Sequence, residues 1–152
     1  MKFSSLSTGL FLVIAFLFSQ QSLAADSAVL TTASGGYDVV AYQTQDAAVK
    51  GTTSHFAYHD GQAYLFSSKE NRETFEKNPE KYVPAYGGYC AMGIALGRKF
   101  PVDPEAFYVV DGTTYLNLNK TVQSKWLEAV SDNISKANTN WKEVGSVDPA
   151  KL

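Results

Sequence analysis

Phe56-Ala57-Tyr58-His59-Asp60-Gly61-Gln62-Ala63-Tyr64-Leu65 returns later in the chain as Phe107-Tyr108-Val109-Val110-Asp111-Gly112-Thr113-Thr114-Tyr115-Leu116. Phe, Asp-Gly and Tyr-Leu keep the same spacing in both stretches. At the same offset Lys69 matches Lys120 and Phe75 matches Trp126. Asp-Gly between two short runs of β-forming residues marks a two-residue hairpin turn, because a type I′ turn needs positive φ at both central positions. The chain therefore carries two β-hairpins, over about 56–66 and 107–117, and each leads into a helix.

Ser67 stands three residues before Glu70, a capping-box spacing, so the first helix is expected over 69–77, stopping before Pro79. Asn119 is expected to cap a longer helix over 120–138, whose Val122, Trp126, Leu127, Val130 and Ile134 form one stripe at helical spacing. Phe75 and Trp126 read as the anchors of each helix on its hairpin. The repeat extends backwards more weakly: with a slip of one residue, Gly36-Tyr37-Asp38 occupies the place of Gly88-Tyr89-Cys90. These readings give an α+β domain: two β-hairpin–helix repeats forming a small antiparallel sheet, with helices packed on a face. The tail after Trp141 reads as irregular.

The first residues have the order of a secretory signal. Met1-Lys2 supplies the charge, Leu10 to Phe18 the apolar core, and Ser22-Leu23-Ala24-Ala25 a small-residue cleavage site. Residues 1–24 are expected to be removed, leaving 25–152 as one domain with its core at about 36–141, working in the periplasm or as a secreted protein. The apolar core is shorter than the roughly 20 residues a bilayer needs. The exported part holds 12 basic and 15 acidic residues, a net charge of −3, with no basic patch, so nucleic acid is not an expected partner. No Cys-x-x-Cys, HExxH, phosphate loop or Gly-x-Ser-x-Gly elbow is present, and nothing in the sequence argues directly for an enzyme.

Gly36-Tyr37-Asp38-Val39-Val40-Ala41-Tyr42, Tyr64-Leu65-Phe66-Ser67-Ser68, Phe75-Glu76-Lys77-Asn78-Pro79 with Tyr82, Pro84-Ala85-Tyr86-Gly87-Gly88-Tyr89-Cys90-Ala91 and Val109-Val110-Asp111-Gly112 through Tyr115-Leu116-Asn117 together resemble the YHS domain family, in its exported branch. The resemblance covers about 36–141. It implies a small metal-binding module of the kind found in copper-transporting ATPases and beside multicomponent oxygenases. In the metal-binding relatives, cysteines stand after the strand aromatic and at the start of the helix. Here those positions hold Ser67 and Asn71, and the early Cys-Gly-Met element is missing, so the relatives' thiolate site does not transfer.

Cys90 is the only cysteine, so no internal disulfide can form. It is buried and inert, paired with another molecule, or functional. It lies among glycines, which let backbone approach a ligand, at the expected start of a short helix ending before Gly97, where a thiol is more nucleophilic and metal-avid. Met92 adds a thioether suited to Cu(I), although residues two apart on a helix point to different sides. His55 and His59 are the only histidines. On a strand they share a face about 13 Å apart and cannot both hold one ion without a bend. Asp38, the partner of Cys90 in the repeat, reads first as a helix cap and second as a carboxylate converging with the thiol. Tyr37, Tyr86 and Tyr89 read as core aromatics with hydrogen-bonded tips.

Three functions fit. The first is metal handling, with a copper or zinc ion on Cys90 and with His55 or Met92 as further ligands. The second is thiol-redox chemistry at a reactive Cys90. The third is a binding module whose glycine and tyrosine surface receives a protein partner or small ligand, with Cys90 structural.

Overall fold

The computed structural model describes residues 32–152; the signal segment and its cleavage site lie outside the described residues. Both hairpins form. Strand β1 (Thr52–His59) pairs antiparallel with β2 (Gln62–Phe66), and β3 (Asp103–Val110) with β4 (Thr113–Asn117). Each turn holds positive φ at both central residues, 47° and 73° at Asp60 and Gly61, 49° and 71° at Asp111 and Gly112. Both hairpins also slip register at the same place, between Thr52 and Phe56 and between Asp103 and Phe107. The α+β fold of two hairpin–helix repeats stands as expected. The two hairpins are not hydrogen-bonded to each other, so the strands make two two-stranded sheets with helices packed around them.

Helix α1 (Val39–Thr44) precedes the first hairpin, and α2 (Lys69–Lys77) and α3 (Pro79–Tyr82) follow it. Helix α2 has the expected bounds, but its cap is Ser68, whose hydroxyl accepts from Asn71 N; Ser67 serves another purpose. Pro79 both ends α2 and opens α3, where its missing N–H costs nothing. The second repeat has α4 (Ala91–Ala95) before its hairpin, and α5 (Lys120–Leu127) and α6 (Val130–Val144) after it. Asn119 caps α5 as expected, but the single helix over 120–138 is in fact two helices. The break falls at Ala129 (φ −152°, ψ 56°), where the buried Asn133 side chain donates to the Trp126 carbonyl and ends α5. The continuation in a new direction carries α6 past Trp141, so the tail is helical to Val144.

The core forms two clusters. The first gathers Val39, Val40, Tyr42, Phe66 and Phe75 and also takes Leu116 from β4; the second gathers Tyr86, Ile94, Tyr115, Trp126 and Ala137. Tyr42 ties the second hairpin to the first cluster: its hydroxyl donates to Pro104 O at 2.9 Å and its ring lies 4.7 Å from that of Phe107.

Candidate functional site

The backward extension of the repeat is real in three dimensions. Ser34, Gly35 and Gly36 take φ of 50°, 60° and 80°; Tyr86, Gly87 and Gly88 take 59°, 61° and 78°. Each run is a left-handed turn closed by a backbone bond, Tyr37 N to Ser34 O at 3.1 Å and Tyr89 N to Tyr86 O at 3.2 Å. Left-handed backbone suits glycine and strains other residues, so Ser34 and Tyr86 store strain that the surrounding packing holds. Tyr86 is held by a hydrogen bond from its hydroxyl to Asn138 Oδ1 at 2.9 Å. Tyr89 and Trp141 are braced by Lys99, whose ammonium lies over both rings and donates to Gly145 O and Val147 O.

Immediately after each turn comes a capping side chain, and the two caps have different chemistry. Asp38 is fully buried and accepts five hydrogen bonds. Oδ1 takes Val40 N and Ala41 N; Oδ2 takes Ser67 N at 2.8 Å, Ser67 Oγ at 2.6 Å and Asn71 Nδ2 at 2.7 Å. Cys90 does the same work with sulfur. Its Sγ accepts from Gly93 N in its own helix at 3.4 Å and from Leu118 N, just beyond β4, at 3.3 Å. Leu118 stands to the second hairpin as Ser67 stands to the first, and Val122 stands to α5 as Asn71 stands to α2. The capping reading of Asp38 is therefore correct. Its side-chain bonds stay inside the first repeat and those of Cys90 inside the second, so no hydrogen bond joins them.

Of the metal-ligand candidates, Cys90 and Met92 line one cavity of about 240 Å3. His55 lies apart from them, half-buried in the bulged stretch of β1 near Glu70. The Glu70 carboxyl is held below its ordinary value first by backbone and Ser68 hydrogen bonds, with the His55 charge a lesser cause. Among the described residues no hydrogen bond or cavity links His55 to Cys90. His59 sits at the hairpin tip with Nε2 3.1 Å from Glu80 Oε1 and 3.6 Å from Asp60 Oδ2. Asp60 and Glu80 are exposed, and a pair of this kind contributes little to stability. Glu80 enters through α3, a helix the sequence reading did not anticipate.

The two left-handed turns face one cleft of about 340 Å3 between the repeats. Ser34 and Gly35 border it on one side, Gly87 and Gly88 on the other. Tyr64 and Tyr89 supply aromatic wall, Gln62 and Ser34 supply uncharged polar groups, and among the described residues no charged side chain lines it. The Tyr64 hydroxyl is kept neutral: burial pushes it up, and the Asp60 and Glu80 carboxylates add to the effect. Tyr37 lies beside the first turn and packs against the first core cluster, with its hydroxyl donating to Glu105 Oε1 at 3.2 Å, so it is a core-edge aromatic with a hydrogen-bonded tip. Gln62 and Ser34 carry no signal of their own in the sequence, being neither reactive nor metal-ligating nor part of a motif.

No family model, curated protein or solved structure matches this chain.

The tyrosines give the fold an alkaline limit. Burial, then the neighbouring Tyr115, pushes Tyr86 from its ordinary value near 10 up to about 12, and burial raises Tyr42 further. A folded-state value above the unfolded one means that the neutral form is favoured by folding. Stability is then level below about pH 10 and falls as pH rises toward about 12. Tyr86→Phe is expected to shallow that decline while lowering stability at neutral pH by about 1 kcal/mol for the lost Asn138 bond. Urea midpoints of both proteins measured across this range check it; an identical alkaline slope in both would contradict the assignment.

Proposed function

We propose that this chain is an exported YHS-type module that acts by binding, and that its ligand seats in the cleft between the repeats. The signal-like segment at Met1–Ala24 supports export, and the duplicated hairpin–helix unit with its Gly-Tyr-Asp and Gly-Tyr-Cys elements supports the family. The observation that carries the binding reading is the pairing of two strained left-handed turns on one uncharged cleft. Backbone strain of this kind costs of order 1–3 kcal/mol per residue and concentrates at ligand sites. Exposed glycine backbone, an amide side chain and aromatic walls suit a small uncharged ligand with one flat apolar face and a hydrogen-bonding rim, of which a sugar ring is the simplest kind.

Binding is favoured over a metal or redox role because of what Cys90 already does. Its sulfur accepts from two backbone N–H groups and is 1% exposed, which makes it the working counterpart of the Asp38 cap. Nuclear magnetic resonance titration with glucose, galactose and N-acetylglucosamine tests the proposal. Saturable shifts are expected at Gly35, Gln62 and Gly87. Gln62→Ala should weaken the tightest sugar about fivefold, the worth of one neutral hydrogen bond. No saturable shift at these residues with any of the three would remove the reading.

A further inference from the structure

We propose that the cavity beneath Cys90 is a second binding site, which takes the chain of a short acyl monocarboxylate with its carboxylate on Lys125. The cavity's walls are carbon and sulfur from Cys90, Met92, Leu96, Phe100, Leu118 and Val122. Leu96 is 67% exposed, and Phe100 and Leu118 are both more than a third exposed, so the apolar lining continues onto the surface as a collar. Gly93 belongs to the same wall: a Cβ there would stand 2.7 Å from the Phe100 ring, so the missing side chain is what lets that ring pack against the helix.

The fold does not require this cavity. At the equivalent place in the first repeat, the Asp38, Ser67 and Asn71 side chains meet and satisfy one another. In the second repeat Ser67 is replaced by Leu118 and Asn71 by Val122, which removes the polar atoms and leaves methyl groups around an open space. A carbon-lined pocket open to solvent leaves apolar surface against water. An apolar occupant covers that surface.

The charge at the mouth decides what kind of occupant. Among the described residues Lys125 is the one charged side chain lining the cavity, and no carboxylate lies within 4 Å of it. A buried apolar chain ending in a carboxylate matches both features at once. The Cys90 sulfur accepts the Gly93 and Leu118 amides, so neither N–H is left facing the chain. A volume of about 240 Å3 lies below the range of drug-sized pockets, which fits a short unbranched chain better than a helix or a ring system.

Isothermal titration of the purified protein with butanoate, hexanoate, octanoate and 1-octanol tests the inference. Affinity is expected to rise about fourfold per methylene along the acids until the chain outgrows the cavity. Octanoate should bind more tightly than octanol, and Lys125→Ala should cut octanoate three- to fivefold while leaving octanol unchanged. The double variant Leu118→Ser with Val122→Asn transplants the first repeat's chemistry and should abolish binding of both. If that variant loses its circular dichroism spectrum, Val122→Phe, which fills the cavity with carbon, takes its place with the same expectation. Absence of saturable binding, indifference to chain length, or binding that survives the cavity variants overturns the proposal. Sugar-induced shifts at Gly35, Gln62 and Gly87 stand or fall separately.

Discussion

Asp38→Ala is expected to lower the stability of the fold by about 3–5 kcal/mol, the cost of orphaning several buried donors at once. The carboxylate is fully buried and receives five donors from three segments of chain: α1, the end of β2 and α2. Truncation removes every acceptor at once, and each orphaned buried donor carries a desolvation penalty. Asparagine is not a rescue. Its NH2 would face the Ser67 amide, the Ser67 hydroxyl or the Asn71 amide, placing donor against donor. Cys90→Ala, at the equivalent place in the second repeat, removes three weak sulfur bonds, two accepted amides and the thiol's donation to Asn117 Oδ1, and should cost about 1–2 kcal/mol. Urea unfolding of the three variants, with unchanged m-values, reads the order directly. A loss below about 1 kcal/mol for Asp38→Ala would show that the network is not what ties the first hairpin to its helices.

The contrast between the two caps shows how function can enter a duplicated fold. One copy keeps its hydrogen bonds and holds the architecture; the other gives up polar atoms at Leu118 and Val122 and gains an opening. Asn117 records the same divergence. It replaces the fully buried Phe66 of the first repeat; its Oδ1 accepts from Met92 N while its Nδ2 has no partner among the described residues. A buried amide with one unsatisfied end is a cost to the fold, and its Oδ1 also accepts from the Cys90 thiol at 4.0 Å.

The hairpins were legible because their signal is local: Asp-Gly needs positive φ and nothing beyond the turn decides it. Helix α2 was legible for the same reason, bounded by a serine and a proline within the segment itself. The break between α5 and α6 was not, because the Asn133 side chain that ends α5 reaches the Trp126 carbonyl only once the chain has turned. Whether the hairpins share a sheet is a question of long-range pairing, on which neither strand sequence bears. The identity of Asp38 as a cap was readable, but its reach to Ser67 and Asn71, 29 and 33 residues away, was not. The apolar cavity had a signal that went unused. Laying Ser67 over Leu118 and Asn71 over Val122 at the offset that matches Phe75 with Trp126 already shows polar groups exchanged for methyls. The cleft had only the faint signal of the repeated Gly-Tyr element, since its walls come from two turns and β2, which meet only in three dimensions.

Trp126→Ala should be as damaging as loss of Asp38, about 3–5 kcal/mol, and Trp126→Phe should be far milder. Trp126 is fully buried, and its ring lies 5.6 Å from that of Tyr115. The first repeat builds the same pair from Phe75 and Tyr64, 4.9 Å apart, so the fold has already shown that a phenyl ring serves at this place. The indole also carries a liability: its Nε1 is buried with no hydrogen-bond partner among the described residues. Phenylalanine removes that orphaned donor, which offsets part of the lost volume, and the net loss is expected to be about 1 kcal/mol. Alanine removes the ring itself and leaves a void between α5, β4 and α6 that the neighbouring side chains cannot fill. Thermal and urea unfolding of both variants separates the two effects. If Trp126→Phe were as costly as Trp126→Ala, the indole N–H would have to be bonded in the folded protein, and the second repeat would be using tryptophan for its polar edge as well as for its bulk.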